Sequence, residues 1–220
     1  MRTLLPRPPA ARAVRSLVLW AALSVTGLVL WIAALAVQPH GAAAAVAPQL
    51  LPLRDVEVRY TVTVPGRAPH DYDLSFSAES GRLRIDDPAR GLWFLVDLRE
   101  ASATMVVPGM HMVVTEPDLA NLTAILESAK TAQFKSLGEA TIAGLRCTRY
   151  SVLSKEVNGT ACLTRDGVAL EVSGQDSHGS AEAIADSVTE GTVPAGRLVP
   201  PPGFARLSLP PGTIAALLGK

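Results

Sequence analysis

The chain has 220 residues, 48% of them hydrophobic, with 20 Lys+Arg balanced by 20 Asp+Glu. The balance is uneven along the chain: Arg2, Arg7, Arg12 and Arg15 all precede the first acidic residue, Asp55, so the remainder carries 16 Lys+Arg against 20 Asp+Glu, 16 − 20 = −4. A mildly acidic body excludes nucleic acid and a broad anionic membrane surface as partners, since both require a basic face.

Behind the arginines, Leu17–Val37 runs for 21 residues without a charge. As a helix it is about 31 Å long, the thickness of a bilayer's hydrocarbon core. Two outcomes fit this N-terminus. Residues 17–37 are either a signal anchor, with the basic residues 1–16 held in the cytoplasm and Trp20 near the interface, or a signal peptide cut near Gly41-Ala42-Ala43-Ala44-Ala45. Both export the rest of the chain. The Ala-, Arg- and Pro-rich composition fits a bacterial source. The expected location is therefore the periplasmic side of the inner membrane if the helix is retained, or the soluble periplasm after cleavage. Residues 38–53 read as a linker, 54–192 as a domain and 193–220 as a proline-rich C-terminal segment.

In the domain, Val56, Val58, Tyr60, Val62 and Val64 alternate with Glu57, Arg59, Thr61 and Thr63, the pattern of a half-buried strand. His70–Ala78 repeats it through Tyr72, Leu74 and Phe76. Ser80-Gly81 turns the chain into Arg82–Asp86, and Leu92–Leu98 is a nearly continuous apolar strand. Ala103–Val107 and Met110–Thr115 flank the turn signal Pro108-Gly109. Asp118–Lys130 breaks the rhythm: Leu119, Leu122, Ile125, Leu126 and Ala129 share one helical face, and Pro117 and Asp118 suit a helix start. Strands are expected again at Ala140–Ala143, Leu145–Val152, Thr160–Thr164 and Val168–Ser173, the last two joined by Asp166-Gly167 as a type I′ hairpin. Gln175–Ala185 reads as polar and irregular, and Ser187–Glu190 as a final strand. Residues 193–212, with Pro200-Pro201-Pro202, are expected to run over the surface outside any sheet.

About eight or nine strands with one amphipathic helix predict a mainly β (α+β) fold. The sheet is antiparallel and curved, forming an open half barrel around that helix, preceded by the N-terminal transmembrane or signal helix. The two cysteines, Cys147 and Cys162, sit on neighbouring expected strands in an exported chain, which predicts a disulfide. Their spacing matches neither a C-x-x-C redox motif nor a zinc site.

The segments Phe134-Lys-Ser-Leu-Gly138, Glu139-Ala-Thr-Ile-Ala-Gly-Leu-Arg-Cys-Thr-Arg-Tyr150 and Ala161-Cys-Leu-Thr-Arg-Asp-Gly-Val168 resemble exported proteobacterial proteins of the periplasmic lipoprotein-carrier-like (LolA-like) superfamily. The resemblance spans roughly residues 54–208 and is most specific over 138–168. It implies a half barrel of about eleven strands whose helix-covered apolar cavity holds acyl chains.

Trp93, Phe94, Met105, Met110 and Met112 fall on central strands, and with Leu122, Ile125 and Leu126 of the helix they are the candidate lining of such a cavity. Ordinary core packing accounts for the same residues. His70, His111 and His178 lack ligand spacing, so no metal or cofactor is expected. Asp176, Ser177 and His178 are sequence neighbours without a nucleophile elbow, and no catalytic residues are assigned. Arg82, Arg84, Arg90 and Arg99 form either a basic rim or cross-strand pairs with Glu57, Asp86 or Asp97. The expected function is to bind a lipid, an acylated protein or another amphiphile. A ligand-free structural or interaction protein of the envelope is the alternative, and an enzyme is not expected.

Overall fold

Strands dominate because the chain alternates side chains along most of its length. The computed structural model describes residues 47–115, 129–154, 158–176, 179–211 and 213. Among them, β1 (Val56–Thr63), β2 (His70–Ser77), β3 (Arg82–Asp87), β4 (Leu92–Asp97), β5 (Ser102–Val107) and β6 (Met112–Thr115) form an antiparallel meander. A second run follows as β7 (Gln133–Ile142), β8 (Leu145–Leu153), β9 (Asn158–Leu163), β10 (Ala169–Asp176) and β11 (Gly179–Glu190). The last strand, β12 (Ala205–Ser208), pairs in parallel with β6. All belong to one sheet, in the order β12-β6-β5-β4-β3-β2-β1-β11-β10-β9-β8-β7.

The sheet is not flat. Four strand spacings separate β11 from β7, ~19 Å in a flat sheet, yet the two come within 8 Å of each other between Cα atoms. The β11-to-β7 half therefore rolls up, and Ala140 and Ile142 of β7 join the same core as Val56, Val58, Phe76, Leu170 and Ala185. Cys162 lies opposite Arg149, two residues from Cys147 and on the same face, so the thiols meet diagonally across β8 and β9. The Cys147–Cys162 disulfide forms there, with Cα atoms 5.4 Å apart, inside that core.

A second core covers the opposite face of β4, β5 and β6, where Trp93, Leu95, Val106 and Val113 pack under Val193, Leu198 and Phe204. Residues 193–204 form a strap that includes a 3-10 turn at Ala195–Leu198. Asp55 ties the strap to the sheet. Its two carboxylate oxygens accept from the backbone N–H groups of Ala78, at 2.9 Å, and Val193, at 3.0 Å.

Four expectations change. The type I′ turn falls at Ala143-Gly144, whose φ angles of 49° and 75° join Ile142 directly to Leu145. The Asp166-Gly167 loop has positive φ only at Gly167, 89°, and the Gly167 N–H donates to Thr164 at 3.1 Å; this is a type I turn closed by a glycine bulge. Gln175–Ala185 is not irregular: most of it lies in β10 and in β11, the longest of the described strands. Residues 205–208 of the proline-rich segment enter the sheet as its edge. The expected helix 118–130 lies outside the described residues except for 129–130, which are helical, and residues 17–37 lie outside them entirely. Among the described residues no helix is long and apolar enough to cross a membrane.

Candidate functional site

Register aligns apolar side chains straight across the first half of the sheet. Val58 faces Leu74, Leu74 faces Ile85, Ile85 faces Phe94, Phe94 faces Met105, Met105 faces Val114, and Val114 faces Leu207. Paired residues share a face, so this is one row crossing seven strands, ~29 Å wide at the usual strand spacing. A second row, Val56, Phe76, Leu83, Val96 and Ala103, lies beside it. Leu83 and Leu98 join the two cores that this face builds. Leu92, Val96, Ala103, Met105 and Val114 are buried, and their apolar partners among the described residues are same-face neighbours plus Leu209 beyond β12. Leu74, Ile85 and Phe94 remain half-buried.

The five expected lining residues on the sheet do not form one cluster. Phe94, Met105 and Met112 belong to the apolar face. Trp93 points the other way, because neighbouring residues of a strand alternate in side; it is buried under the strap, with the Arg84 guanidinium 3.9 Å from its ring centroid. Met110 sits in the 3-10 turn Pro108–Met110 and is 66% exposed. Leu122, Ile125 and Leu126 lie outside the described residues.

Polar groups gather at one end of the apolar face. Asp87, only 2% exposed, accepts from the Arg90 guanidinium and pairs with His70 Nε2, each at 2.8 Å. Burial pushes its carboxyl up, but the hydrogen bonds from Arg90 and His70 outweigh this and hold it below the ordinary carboxylate range. Tyr60, on the same face, donates its hydroxyl to the Ala169 carbonyl at 2.5 Å. Burial pushes that phenol up to about 12.

The arginines form pairs rather than an open rim. Arg82 binds Asp97 at 2.9 Å, and Arg84 binds Asp86 at 2.5 Å. Burial acts to raise Asp97, but Arg82 and the backbone N–H groups of Glu100 and Arg99 bring it below its ordinary value. Arg197 of the strap reaches Glu57 at 3.3 Å and Asp86 at 3.7 Å. Arg99 is different: its guanidinium donates to the Glu79 carbonyl. His111 meets Phe204 in a tilted ring contact, centroids 5.2 Å apart. His178 and Ser177 lie outside the described residues. Among the described residues no three His, Cys, Asp or Glu side chains converge as a metal site would require.

Among the described residues, two of the clefts bear on this face and its surroundings. One, about 300 Å³, is lined by Leu51, Phe76, Leu98, Arg99 and Lys130 among others, and so continues from the apolar face. The other, about 360 Å³, lies between the ends of β1, β9, β10 and β11 and includes Asn158, Gln175 and Glu182. Sequence gives no sign of the Asp87 cluster, because His70 and Asp87 are seventeen residues apart and meet only through the β2–β3 pairing. The lone His70 and an acid before a proline are the only traces.

No protein-family model and no curated protein matches the chain. Solved structures do. An uncharacterized conserved protein from Thermus thermophilus is similar over 71% of this chain and 91% of that one, at 10% identity and a TM-score of 0.50. A LolA superfamily protein from Nitrosomonas europaea is similar over 69% of this chain and 92% of that one, at 10% identity and a TM-score of 0.34. The structure of MucB in complex with MucA(peri) contains a chain similar over 67% of this one, at 17% identity and a TM-score of 0.40. The present chain spans about half of that protein, 54%. At these identities the likeness concerns the fold alone.

Proposed function

We propose that this is an exported envelope protein whose apolar face holds the acyl part of an amphiphile, a lipid or an acylated protein. The observation that carries the reading is the row from Val58 to Leu207, seven strands wide and unbroken by a polar residue. A face this apolar gains about 25 cal/mol for each Å² removed from water, so it must be covered by chain, ligand or both. The opposite face of β4, β5 and β6 already has its own strap.

The amphipathic segment 118–130 is the covering element in this reading, completing a half barrel around one helix. The segment connects β6, next to one edge of the sheet, to β7 at the other. Lys130, near its end, lines a cleft with Phe76 and Leu98, both members of the apolar face. The disulfide fits an oxidising compartment. Retention of residues 17–37 would hold the domain at the inner membrane, on its periplasmic side, and the role is binding rather than catalysis.

Lipid extraction and native mass spectrometry of the full chain, purified from its own envelope, test this. An acyl-bearing compound at near one-to-one stoichiometry is expected. Ligand-free protein that instead co-purifies with a stoichiometric envelope protein would overturn the reading in favour of an interaction role.

A further inference from the structure

We infer that the acyl site is an opening over β3, floored by Leu83 and Ile85 between Leu74 and Phe94, which takes one alkyl chain lying along that strand with its polar head at the Asp87 end. The inference rests on the amphiphile-binding reading above and adds where the ligand lies, how many chains it brings and which way it points. β3 is an interior strand, with four strands on one side of it in the sheet and seven on the other. Such a strand must bury its apolar side chains against another layer. Yet of the six residues of β3 only Asp87, a charged one, is buried. Leu83 and Ile85 stay half-buried in the full chain, as do Leu74 and Phe94, which pair with Ile85 on either side. Around them the face is closed: Val58, Phe76, Val96 and Met105 are buried, although Met105 sits two strands closer to the sheet's edge. Ile85 belongs to none of the three apolar clusters formed by the described residues.

The opening has the dimensions of a single chain. β2 and β4 are two strand spacings apart, ~9.6 Å. A chain over β3 therefore lies within carbon contact, ~4.5 Å, of Leu74 on one flank and Phe94 on the other. From Leu83 to Asp87 the strand runs for ~14 Å, the length of about eleven methylenes at ~1.25 Å each along a zigzag of ~1.5 Å bonds. The two ends differ in chemistry. Asp87 lies opposite Leu92 of the apolar face and gathers the His70 imidazole and the Arg90 guanidinium, each at 2.8 Å. The Tyr72 ring stands beside them, its centroid 4.7 Å from that of His70. At the other end Leu83 meets Phe76, its partner on β2, and Leu98, both apolar. An alkyl end against Asp87 and its partners strips water from polar groups and returns no hydrogen bond, whereas a hydroxyl or carboxyl head returns one. Polarity thus fixes the direction of the chain.

The test uses the full chain and two photoreactive dodecanoic acids, one with its diazirine beside the carboxyl group and one with it near the chain end. Peptide mass spectrometry then reads the labelled residues. The carboxyl-side probe is expected on Tyr72 and Leu92 and the chain-end probe on Leu83 and Phe76, at one ligand per protein. A reversed pattern, one pattern for both probes, or two ligands per protein would overturn the assignment. I85W fills the opening from its floor and L74W from its flank. Each is expected to cut both labels at least about tenfold, the worth of two buried methylenes, with the far-UV circular dichroism spectrum unchanged; L74W decides where I85W does not fold. Labelling that persists in a folded variant overturns the opening as the site. Octanoic, decanoic and dodecanoic acids are expected to compete with potency rising about fourfold per methylene, and a potency independent of length would count against a chain lying in the opening. Absence of saturable labelling by either probe would instead overturn the amphiphile reading beneath it.

Discussion

Asp55 is a short side chain with a large expected effect. It sits at the entry to β1, and its two oxygens accept from Ala78, where β2 ends, and from Val193, where the strap begins. Its own backbone carbonyl accepts from Gly191 at 3.3 Å. Asp55→Ala removes the side-chain acceptor from two N–H groups and frees the start of a strap whose Leu198 is 2% exposed. Two hydrogen bonds to a charged group, each worth about 1.5–3 kcal/mol, put the cost near 3 kcal/mol after partial rehydration. For a domain of this size that lowers the melting temperature by about 6–12 °C. Asp55→Asn keeps one acceptor oxygen and loses the charge, so about half the effect is expected. Glu57→Ala is the control: Glu57 also meets the strap, through Arg197 at 3.3 Å, but its side chain is 43% exposed, so that with the hydrogen bond it accepts from Ser75 at 3.2 Å about 1 kcal/mol is at stake. Thermal unfolding followed by far-UV circular dichroism gives the order wild type, E57A, D55N, D55A. A D55A melt within a degree or two of wild type, or equal losses for D55A and E57A, would refute the stapling argument.

Three further outcomes follow from the same geometry. C147A/C162A removes a cross-link spanning 15 residues, worth about 3 kcal/mol in the chain-entropy model, and is expected to lower the melting temperature by about 6–12 °C, with reduced wild type moving toward the same value. Tyr60 is expected to stay protonated to about pH 12 in a spectrophotometric titration. Because the unfolded phenol ionises near 10, the stability it confers is intact below about pH 10 and drains away between about 10 and 12; Y60F should flatten that alkaline limb. Asp87 works with the opposite sign. Its folded carboxyl lies below the ordinary range, so its contribution is present above about pH 4 and is lost as pH falls through the depressed value. D87N should therefore shrink the acid-side loss of stability measured by urea unfolding at stepped pH.

The meander from β1 to β6 was legible because its inward positions are large and alternate cleanly: Val56, Val58 and Tyr60, then Tyr72, Leu74 and Phe76. Of β11 only Ser187–Glu190 was, since the residues facing β1 on the apolar side include Ala183 and Ala185, whose small side chains carry no strand signal. They lie opposite Val62 and Tyr60, and pairing on both sides makes the strand regardless of propensity. Most of β7 escaped for another reason. Its register shifts between Ser136 and Gly138, and a bulge breaks the alternation that a sequence pattern depends on. The hairpins show the limit of dipeptide signals: Asp166-Gly167 has the composition of a type I′ turn and adopts another, while Ala143-Gly144 forms one with Ala143 in the left-handed region.

Among the expected lining residues, parity decides which share a face. Trp93 and Phe94 are adjacent, so they cannot share a face, and only Phe94, Met105 and Met112 joined the apolar side. The strap was invisible because Val193, Leu198 and Phe204 are scattered among glycines and prolines, and nothing local says which surface they cover.

The most direct test of the central claim is methyl NMR of the protein titrated with a fatty acid spin-labelled near its chain end. Binding on the apolar face broadens the methyl signals of Val58, Leu74, Ile85 and Val114 and spares Val106, Val113 and Leu198, which lie under the strap. Equal broadening on the two sides of the sheet, broadening confined to the strap side, or no saturable effect would contradict it.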